Sequence, residues 1–232
     1  DVLKPYLRGR DVKRWRVEFA EQYLIKIESS ENKKHPWSGK PEAEAEKIFQ
    51  ARYPAIYNHM QPMRTPLRNR DDQGQYYWEL RSCAYWSIFE RSKIIYPDIA
   101  QRAEFAFDES GYYIGNTLYS LPTIDKWLLS ILNSKLMYWF YVKLSSQIRG
   151  GFVRYILQYV SQLPICQVTD PSSLEQLVEQ ILSAKAENPA ADVRAFARAI
   201  ARSQPRRAGP VPGASISPPS SAASSAAFRR AI

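Results

Sequence analysis

Short apolar runs separated by turn residues fill the middle of the chain and predict a small antiparallel sheet. The runs are rich in β-branched and aromatic side chains, which favour strands, and Pro-Asp, Ser-Gly and Gly-Asn pairs stand between them. The predicted strands span residues 94–96, 105–107, 112–114 and 118–121. Because each run is short and is followed at once by a turn, we expect a meander in which each strand pairs with the next.

The apolar pattern changes to a helical spacing after Pro122, where it predicts one long helix. One stripe of this helix is marked by Leu128, Ile131, Leu132, Leu136 and Trp139. Residues 137–142 are apolar throughout, so this half has to be buried on every side. The predicted fold class is therefore α+β, with an antiparallel sheet of short strands packed on this central buried helix. The residues expected to be among the most buried are Trp127, Leu128, Ile131, Leu132, Leu136, Trp139 and Phe140.

Helices and a tail are predicted on either side of this centre. Pro41 and the acidic residues after it indicate a helix that ends near Arg52, and a second short helix is expected over residues 55–60. After Pro171, apolar residues at helical spacing predict an amphipathic helix, whereas the Arg-, Ala-, Pro- and Ser-rich sequence from Val193 predicts disorder. The expected domains are residues 1–166 as one folded domain, 167–192 as the amphipathic helix and 193–232 as a disordered low-complexity tail.

Composition argues against several classes of protein. Hydrophobic residues make up 45% of the chain and aromatic residues 13%, which indicates a folded core. Cys83 and Cys166 are far apart and only two histidines accompany them, so neither a disulfide framework nor a zinc site is expected. The longest apolar run is too short to span a bilayer, and the amino-terminal residues lack a signal-peptide core. We therefore expect a soluble, intracellular protein without a membrane partner.

A formal charge of +9 favours a polyanionic partner, and arginine and lysine are concentrated in three segments outside the apolar centre. In the first segment the basic residues alternate with aromatic ones, and in the second they share a loop with asparagine, glutamine and tyrosine. The alternatives are a charged sheet edge that discourages strand pairing and an ordinary solvated loop. The residues predicted to bind DNA along one face are Arg10, Lys13, Arg14, Arg64, Arg68, Arg70, Arg149 and Arg154.

Motifs that carry chemistry are missing from the sequence. It contains no glycine-rich phosphate loop, no G-x-S-x-G turn and no spacing of metal ligands, so we predict no catalytic residue and no metal site. A hydrolase that uses two acidic residues stays open, since any two of them can meet in space. The arginine- and aromatic-rich loops on a compact core favour a binding module over an enzyme.

The order of several short motifs resembles one known family. The motifs, in chain order, are KPYLRGRDVKRW, ARYPAIYNHMQPM, YYWELR, FERSKIIYPDIA, FAFDESGYYIGNTLYSL, LLSILNSKLMYWFY and IRGGFVRY. Together they resemble the TaqI-like carboxy-terminal specificity domain, the target-recognition domain of adenine-specific DNA methyltransferases in restriction-modification systems. The resemblance extends over about residues 1–166, and LNSKL and the spacing between KIIYPDIA and FAFD are its most specific parts.

The resemblance implies a function and its partners. In that family an amino-terminal domain holds S-adenosylmethionine and a catalytic tetrapeptide of the Asn-Pro-Pro-Tyr type, and neither feature is found in this sequence. We therefore expect a sequence-specific module that recognises double-stranded DNA and works with an amino-terminal methyltransferase domain or subunit. No cofactor is expected in this chain, and the chain alone is expected to be inactive as an enzyme. The alternative is a structural or partner-docking module that does not bind DNA itself.

Overall fold

A computed structural model describes residues 2–165, 168–203 and 229–230 of the protein. Two compact units are present, and each has a hydrophobic core of its own. Unit 1 comprises Asp1–Lys4 and Tyr23–Ser87, and unit 2 comprises Pro5–Gln22 and Ile88–Ile232. The apolar pattern predicted one domain over residues 1–166, whereas the contacts assign these residues partly to unit 1 and partly to unit 2.

Short strands and helices alternate along the chain, which makes the fold α+β as predicted. The strands are β1 Leu3–Leu7, β2 Val12–Lys13, β3 Arg16–Val17, β4 Tyr23–Ile25, β5 Lys93–Pro97, β6 Ile99–Ala100, β7 Ala106–Asp108, β8 Tyr113–Ile114, β9 Leu118–Pro122, β10 Gln147–Ile148, β11 Phe152–Arg154 and β12 Arg229–Arg230. The helices are α1 Glu42–Arg52, α2 Pro54–Met60, α3 Arg64–Arg68, α4 Trp86–Phe89, α5 Lys126–Leu132, α6 Lys135–Leu144, α7 Leu157–Val160, α8 Ser172–Glu187 and α9 Arg194–Ser203. Among the described residues no helix is both long and apolar enough to cross a membrane.

Unit 1 is built on stacked aromatic rings packed between α1, α2 and the loop that follows α3. Trp78 stacks on Phe49 of α1 with ring centroids 4.9 Å apart, and Tyr76 stacks on the same indole at 4.9 Å. The Trp37 ring meets Trp78 edge-on at 6.2 Å. Aromatic pairs of this kind each add about 0.5–1.5 kcal/mol beyond the area that they bury. Helix α1 and its interruption before Pro54 agree with the prediction from the proline and glutamate positions.

The main sheet of unit 2 has β5 in its middle. Strand β5 pairs antiparallel with β7 on one side and with β9 on the other, and all five of its residues are buried. Strand β8 pairs instead with β1 in parallel, and β6 pairs with β11. The positions of the four predicted strands are confirmed, and the first two, β5 and β7, pair as a meander requires. The rest of the predicted meander is wrong, because β8 pairs with neither β7 nor β9.

The predicted central helix is two helices, α5 and α6, separated by Asn133 and Ser134. The break changes the helical phase, so that Leu136 and Trp139 are 66% and 58% exposed and do not belong to the core. Ile131 and Leu132 are buried as predicted, whereas Trp127, Leu128 and Phe140 are partly buried. The most buried side chains of these helices also include Leu129, Met137 and Tyr141.

Asn133 and Ser134 stabilise the break in this pair of helices. The Asn133 side-chain amide donates to the Phe105 carbonyl at 2.9 Å, and its oxygen accepts the Phe105 N–H at 3.2 Å. Ser134 then caps α6, because its hydroxyl oxygen accepts the N–H of Met137 at 3.0 Å. The Asn133 side chain thus forms the two backbone hydrogen bonds with Phe105 that a neighbouring strand would form. A purely local sequence pattern does not reveal this contact.

The carboxy-terminal part of unit 2 contains α8 and α9. Helix α8 is amphipathic as predicted, and Leu174, Val178 and Ile181 enter the unit 2 core. Helix α9 lies in the segment that was predicted to be disordered, and its Ile200 is only 3% exposed in the same core. Of the rest of this segment only Arg229–Arg230 is described, as a strand antiparallel to β9. The predicted disorder of residues 204–228 and 231–232 concerns residues outside the described part.

Candidate nucleic-acid interface

A tight turn between β1 and β2 carries Arg10 on its surface. The Gly9 N–H donates to the Thr117 hydroxyl at 2.9 Å. A Cβ added to Gly9 would lie 3.0 Å from the Thr117 carbonyl oxygen, so a larger residue at this position would have to displace Thr117 by a few tenths of an ångström. The buried Asp11 carboxylate accepts the Arg8 backbone N–H at 2.8 Å and the Arg8 guanidinium at 3.1 Å. Burial alone would raise the pKa of Asp11, but the hydrogen bonds from Arg8 lower it overall. Arg8 is thereby engaged, whereas the Arg10 side chain is 72% exposed.

Arg10 and Lys13 line the same open cavity of unit 2, which has a volume of 630 Å³. Arg102, in the loop after β6, is a third basic residue in its wall, and its side chain is 70% exposed. The acidic residues of the wall are Asp98 and Glu104, and each is already in an ion pair. We call this open cavity, with its basic residues Arg10, Lys13 and Arg102, the basic cleft.

Arg154 and Arg149 lie on the β10–β11 hairpin at the edge of the basic cleft. The Arg154 guanidinium donates two hydrogen bonds to the Asp98 carboxylate, at 3.1 and 3.0 Å, and so neutralises an acidic wall of the cleft. Exposed Arg149 is in the turn of the hairpin, which is held in place because the Gln101 side-chain amide donates to the Gly150 carbonyl at 3.0 Å. Arg154 is therefore joined to the wall of the cleft through Asp98, whereas Arg149 is linked to it only through its neighbour Gly150, which is bonded to the wall residue Gln101.

Arg14 follows Lys13 directly and turns away from the basic cleft. Its guanidinium donates to the Asn133 carbonyl at 2.6 Å and lies 5.6 Å from the centre of the Trp15 ring. Burial lowers the pKa of Arg14, and the charge of Arg102 lowers it further. Arg14 lines a second cavity of unit 2 and is not in the wall of the first.

The three predicted arginines of unit 1 are engaged within that unit. Arg64 forms an ion pair with Glu46, and Arg68 forms one with Glu42, both on α1. The same two guanidinium groups lie 5.6 and 5.3 Å from the centre of the Tyr77 ring. Arg70 donates to the backbone carbonyls of Tyr77, at 3.2 Å, and Glu79, so its guanidinium holds the aromatic loop in place.

Arg102 is the one residue of the basic cleft that sequence reasoning missed. It stands in a short polar loop between β6 and β7, and its position beside Arg10 depends on the pairing of distant segments. The available signal was the Gln101-Arg102 pair between two apolar runs. Among the described residues no group of three histidine, cysteine, aspartate or glutamate side chains is placed to hold a metal ion.

This arrangement can bind an extended anion, since basic side chains from three segments border one cleft whose acidic groups are already paired. A comparison with protein families agrees with that chemistry. The family model of the TaqI-like C-terminal specificity domain matches residues 4–165, from the second residue of β1 to beyond α7. Because the match extends over most of the 232 residues, the chain belongs to the TaqI-like C-terminal specificity domain family, whose members are DNA-recognition modules of restriction-modification enzymes.

Proposed function

We propose that this chain is the sequence-specific, double-stranded DNA recognition module of an adenine-specific DNA methyltransferase or restriction-modification enzyme. The observation that carries the proposal is the basic cleft, where Arg10, Lys13 and Arg102 border one concave surface of unit 2. Phosphate contacts fix the register of a protein on DNA, and side chains that reach base edges then read the sequence. Arg10 and Arg102, whose side chains are largely exposed, have the reach for either kind of contact.

The charge of the cleft supports binding of the DNA backbone. Its two acidic residues repel a phosphate less than free carboxylates would, because Asp98 is paired with Arg154 and Glu104 is paired with Arg102. Arg10 is 4.0 Å from the Asp11 carboxylate, which Arg8 already neutralises. Counting Arg154 with the three basic residues of the wall gives four cations against Asp98 and Glu104, so the cleft keeps an excess of positive charge. Such an excess attracts a polyanion and releases its counterions.

We assign methyl transfer and S-adenosylmethionine to a separate methyltransferase domain or subunit with which this module associates. The sequence has neither the Asn-Pro-Pro-Tyr type tetrapeptide nor a glycine-rich cofactor loop that would support that chemistry here. The role of this chain is then to hold the duplex in one register, so that the partner modifies an adenine at a defined position.

The test is the salt dependence of binding to a labelled library of DNA duplexes, measured by fluorescence anisotropy with the full chain. The double variant Arg10→Ala, Lys13→Ala should bind every sequence more weakly and should reduce the slope of log K against log salt by about 1 to 2. The matched control is Arg91→Ala, Lys34→Ala, which removes the same two charges from exposed positions outside the wall of the cleft.

Two outcomes would contradict the proposal. Wild-type chain that binds no duplex at any salt concentration would favour the alternative, a partner-docking module. Equal weakening by the cleft variant and by the control would show that the binding depends on net charge and not on the basic cleft.

A further inference from the structure

A second cavity of unit 2, with a volume of 440 Å³, lies between the β2–β3 turn, the start of α6 and helix α9. Four basic residues from these three segments line it, and no acidic residue is among the described residues of its wall. The four are Arg14, Lys135, Arg194 and Arg198. Asp192, which directly precedes Val193 of the wall, is paired with Arg194 at 2.7 Å and also interacts electrostatically with Arg198.

Two buried donors at this cavity have no acceptor among the described residues. Trp15 is 3% exposed, and neither its indole N–H nor the Nε–H of Arg14 forms a hydrogen bond. Trp15 is held in the left-handed backbone region, at φ 74°, and its backbone N–H donates to the Phe105 carbonyl at 2.9 Å. Buried donors are nearly always satisfied. An acceptor bound in the cationic cavity that Arg14 and Trp15 line would provide the partner that these two N–H groups lack.

The first turn of α6 adds further donors to the same wall. This helix has ten residues, and Ser134, Lys135 and Leu136 at its amino end line the cavity. Ser134 satisfies the N–H of Met137, while the first N–H groups of any helix lack a partner within it. The positive end of the helix dipole and these N–H groups favour an anion at this position.

We propose that this second cavity is a phosphate-binding site, in which Arg14, Lys135, Arg198 and the Trp15 indole N–H hold a backbone phosphate of DNA. This assignment rests on the proposed function for its source of phosphate. Lys13 lines the basic cleft and Arg14 lines the second cavity, so adjacent residues join two anion sites on one strand turn.

The size and the other walls of the cavity fit a nucleotide backbone better than a bare ion. Its volume lies within the range of ordinary ligand sites, which is roughly 300–1,000 Å³. Apolar side chains provide surface for a deoxyribose next to the phosphate; they are Leu136 of α6, Val193 directly before α9 and Ile200 of α9. Helix α9 lies beyond the residues matched by the family model, so the site adds a contact from outside the matched region.

The first experiment compares two double variants of the full chain in DNA binding over a range of salt concentrations. Lys135→Gln, Arg198→Gln should raise Kd about threefold to tenfold and reduce the salt slope by about 1. Lys143→Gln, Arg202→Gln is the matched control, because it removes the same charges from the same two helices at positions that do not line the cavity. If the two variants bind DNA equally while wild-type chain binds it well, the second cavity is not a phosphate site and the proposed function is unaffected.

The second experiment separates DNA phosphate from free phosphate. Inorganic phosphate is titrated into ¹⁵N-labelled chain, and the indole N–H signal of Trp15 is identified by its loss in Trp15→Phe. We expect a shift of that signal with duplex DNA that is reduced in Lys135→Gln, Arg198→Gln. A shift with inorganic phosphate but no DNA binding would overturn the DNA source and the proposed function while retaining the anion site. Absence of a shift with either probe would overturn the site itself.

Discussion

The two units bury charge in different ways. Unit 1 buries Glu79 completely, and its carboxylate accepts only neutral donors: the Ser30 N–H and hydroxyl, the Trp37 indole N–H and the Gln75 N–H. Unit 2 buries Lys93 and Asp108 as an ion pair, with further carbonyl acceptors for the ammonium group. The first arrangement fixes a loop against an aromatic core, whereas the second joins two neighbouring strands, β5 and β7.

The arginines of the basic cleft also differ from those predicted in unit 1. In unit 1, Arg64, Arg68 and Arg70 are held by glutamates or by backbone carbonyls. In unit 2, Arg10 has a largely exposed side chain at a concave surface. Arg102 is also largely exposed there, although it pairs with Glu104. A guanidinium that is committed inside its own unit has to break a contact before it binds DNA. We therefore propose a supporting role for the three arginines of unit 1 and direct DNA contact for Arg10.

Lys93→Met tests the buried pair of unit 2 and should have the largest effect. Removing one partner of a buried pair leaves the other charge uncompensated, so we expect a loss of about 3–5 kcal/mol in unfolding free energy. Lys126→Met is the matched control, because Lys126 forms two ion pairs with partners that are more than half exposed. Such exposed pairs contribute at most about 1 kcal/mol. Urea unfolding followed by tryptophan fluorescence provides the measurement, and equal losses in both variants would contradict the burial argument.

Glu79→Gln tests the neutral-donor arrangement of unit 1. In one orientation the amide nitrogen of glutamine would face the N–H groups of both Ser30 and Gln75, and in the other it would face the Trp37 indole N–H. We therefore expect a cost of about 2–3 kcal/mol. Glu44→Gln removes an exposed carboxylate of α1 that pairs with Lys40, and it should cost less than about 0.5 kcal/mol. If Glu79→Gln is as mild as this control, the four hydrogen bonds do not hold the loop.

The sequence predicts the elements that nearby residues determine better than those that depend on distant contacts. Helix α1 and the four predicted strands are set by residues within them, such as Pro41 and the β-branched runs, and they were predicted near their positions. The break at Asn133 was not predicted, because the group that stabilises it is the backbone of Phe105, 28 residues away. Sequence separation thus decides which features of this fold a pattern can reveal.

The same limit applies to the candidate site. Arg70 looks like a base-reading residue in a polar loop, but the fold brings the Tyr77 and Glu79 carbonyls to its guanidinium. Arg102 gave only the weak signal of a polar pair between two apolar runs, and it joins Arg10 through the folded arrangement of unit 2. Basic residue type identified several candidates, whereas the partners that decide whether each one is exposed required the structure.

Alkaline pH should weaken unit 1 through Tyr77. Burial, together with the hydrogen bond to Glu46, raises the pKa of Tyr77 to about 12. A raised folded-state pKa gives stability that is complete below the unfolded value, about 10, and that is lost as pH rises to about 12. We expect a loss of about 2 kcal/mol over this window, and Tyr77→Phe should lack that part of the decline. Unfolding curves at several alkaline pH values for both proteins provide the measurement, and identical declines would contradict the assignment to Tyr77.

Arg10→Ala should have the smallest effect on stability. Its comparison with Arg70→Ala tests whether the arginines of the two units have different roles. Because the Arg10 side chain is 72% exposed and its nearest acidic partner already pairs with Arg8, we expect a change within about 0.5 kcal/mol. Arg70→Ala, its counterpart in unit 1, leaves two backbone carbonyls without their donor and should cost about 1–3 kcal/mol. DNA affinity should show the reverse order, with Arg10→Ala weakening it directly. Parallel unfolding and anisotropy measurements on the two variants would contradict the division of roles if Arg10→Ala were the more destabilising or the one without effect on DNA binding.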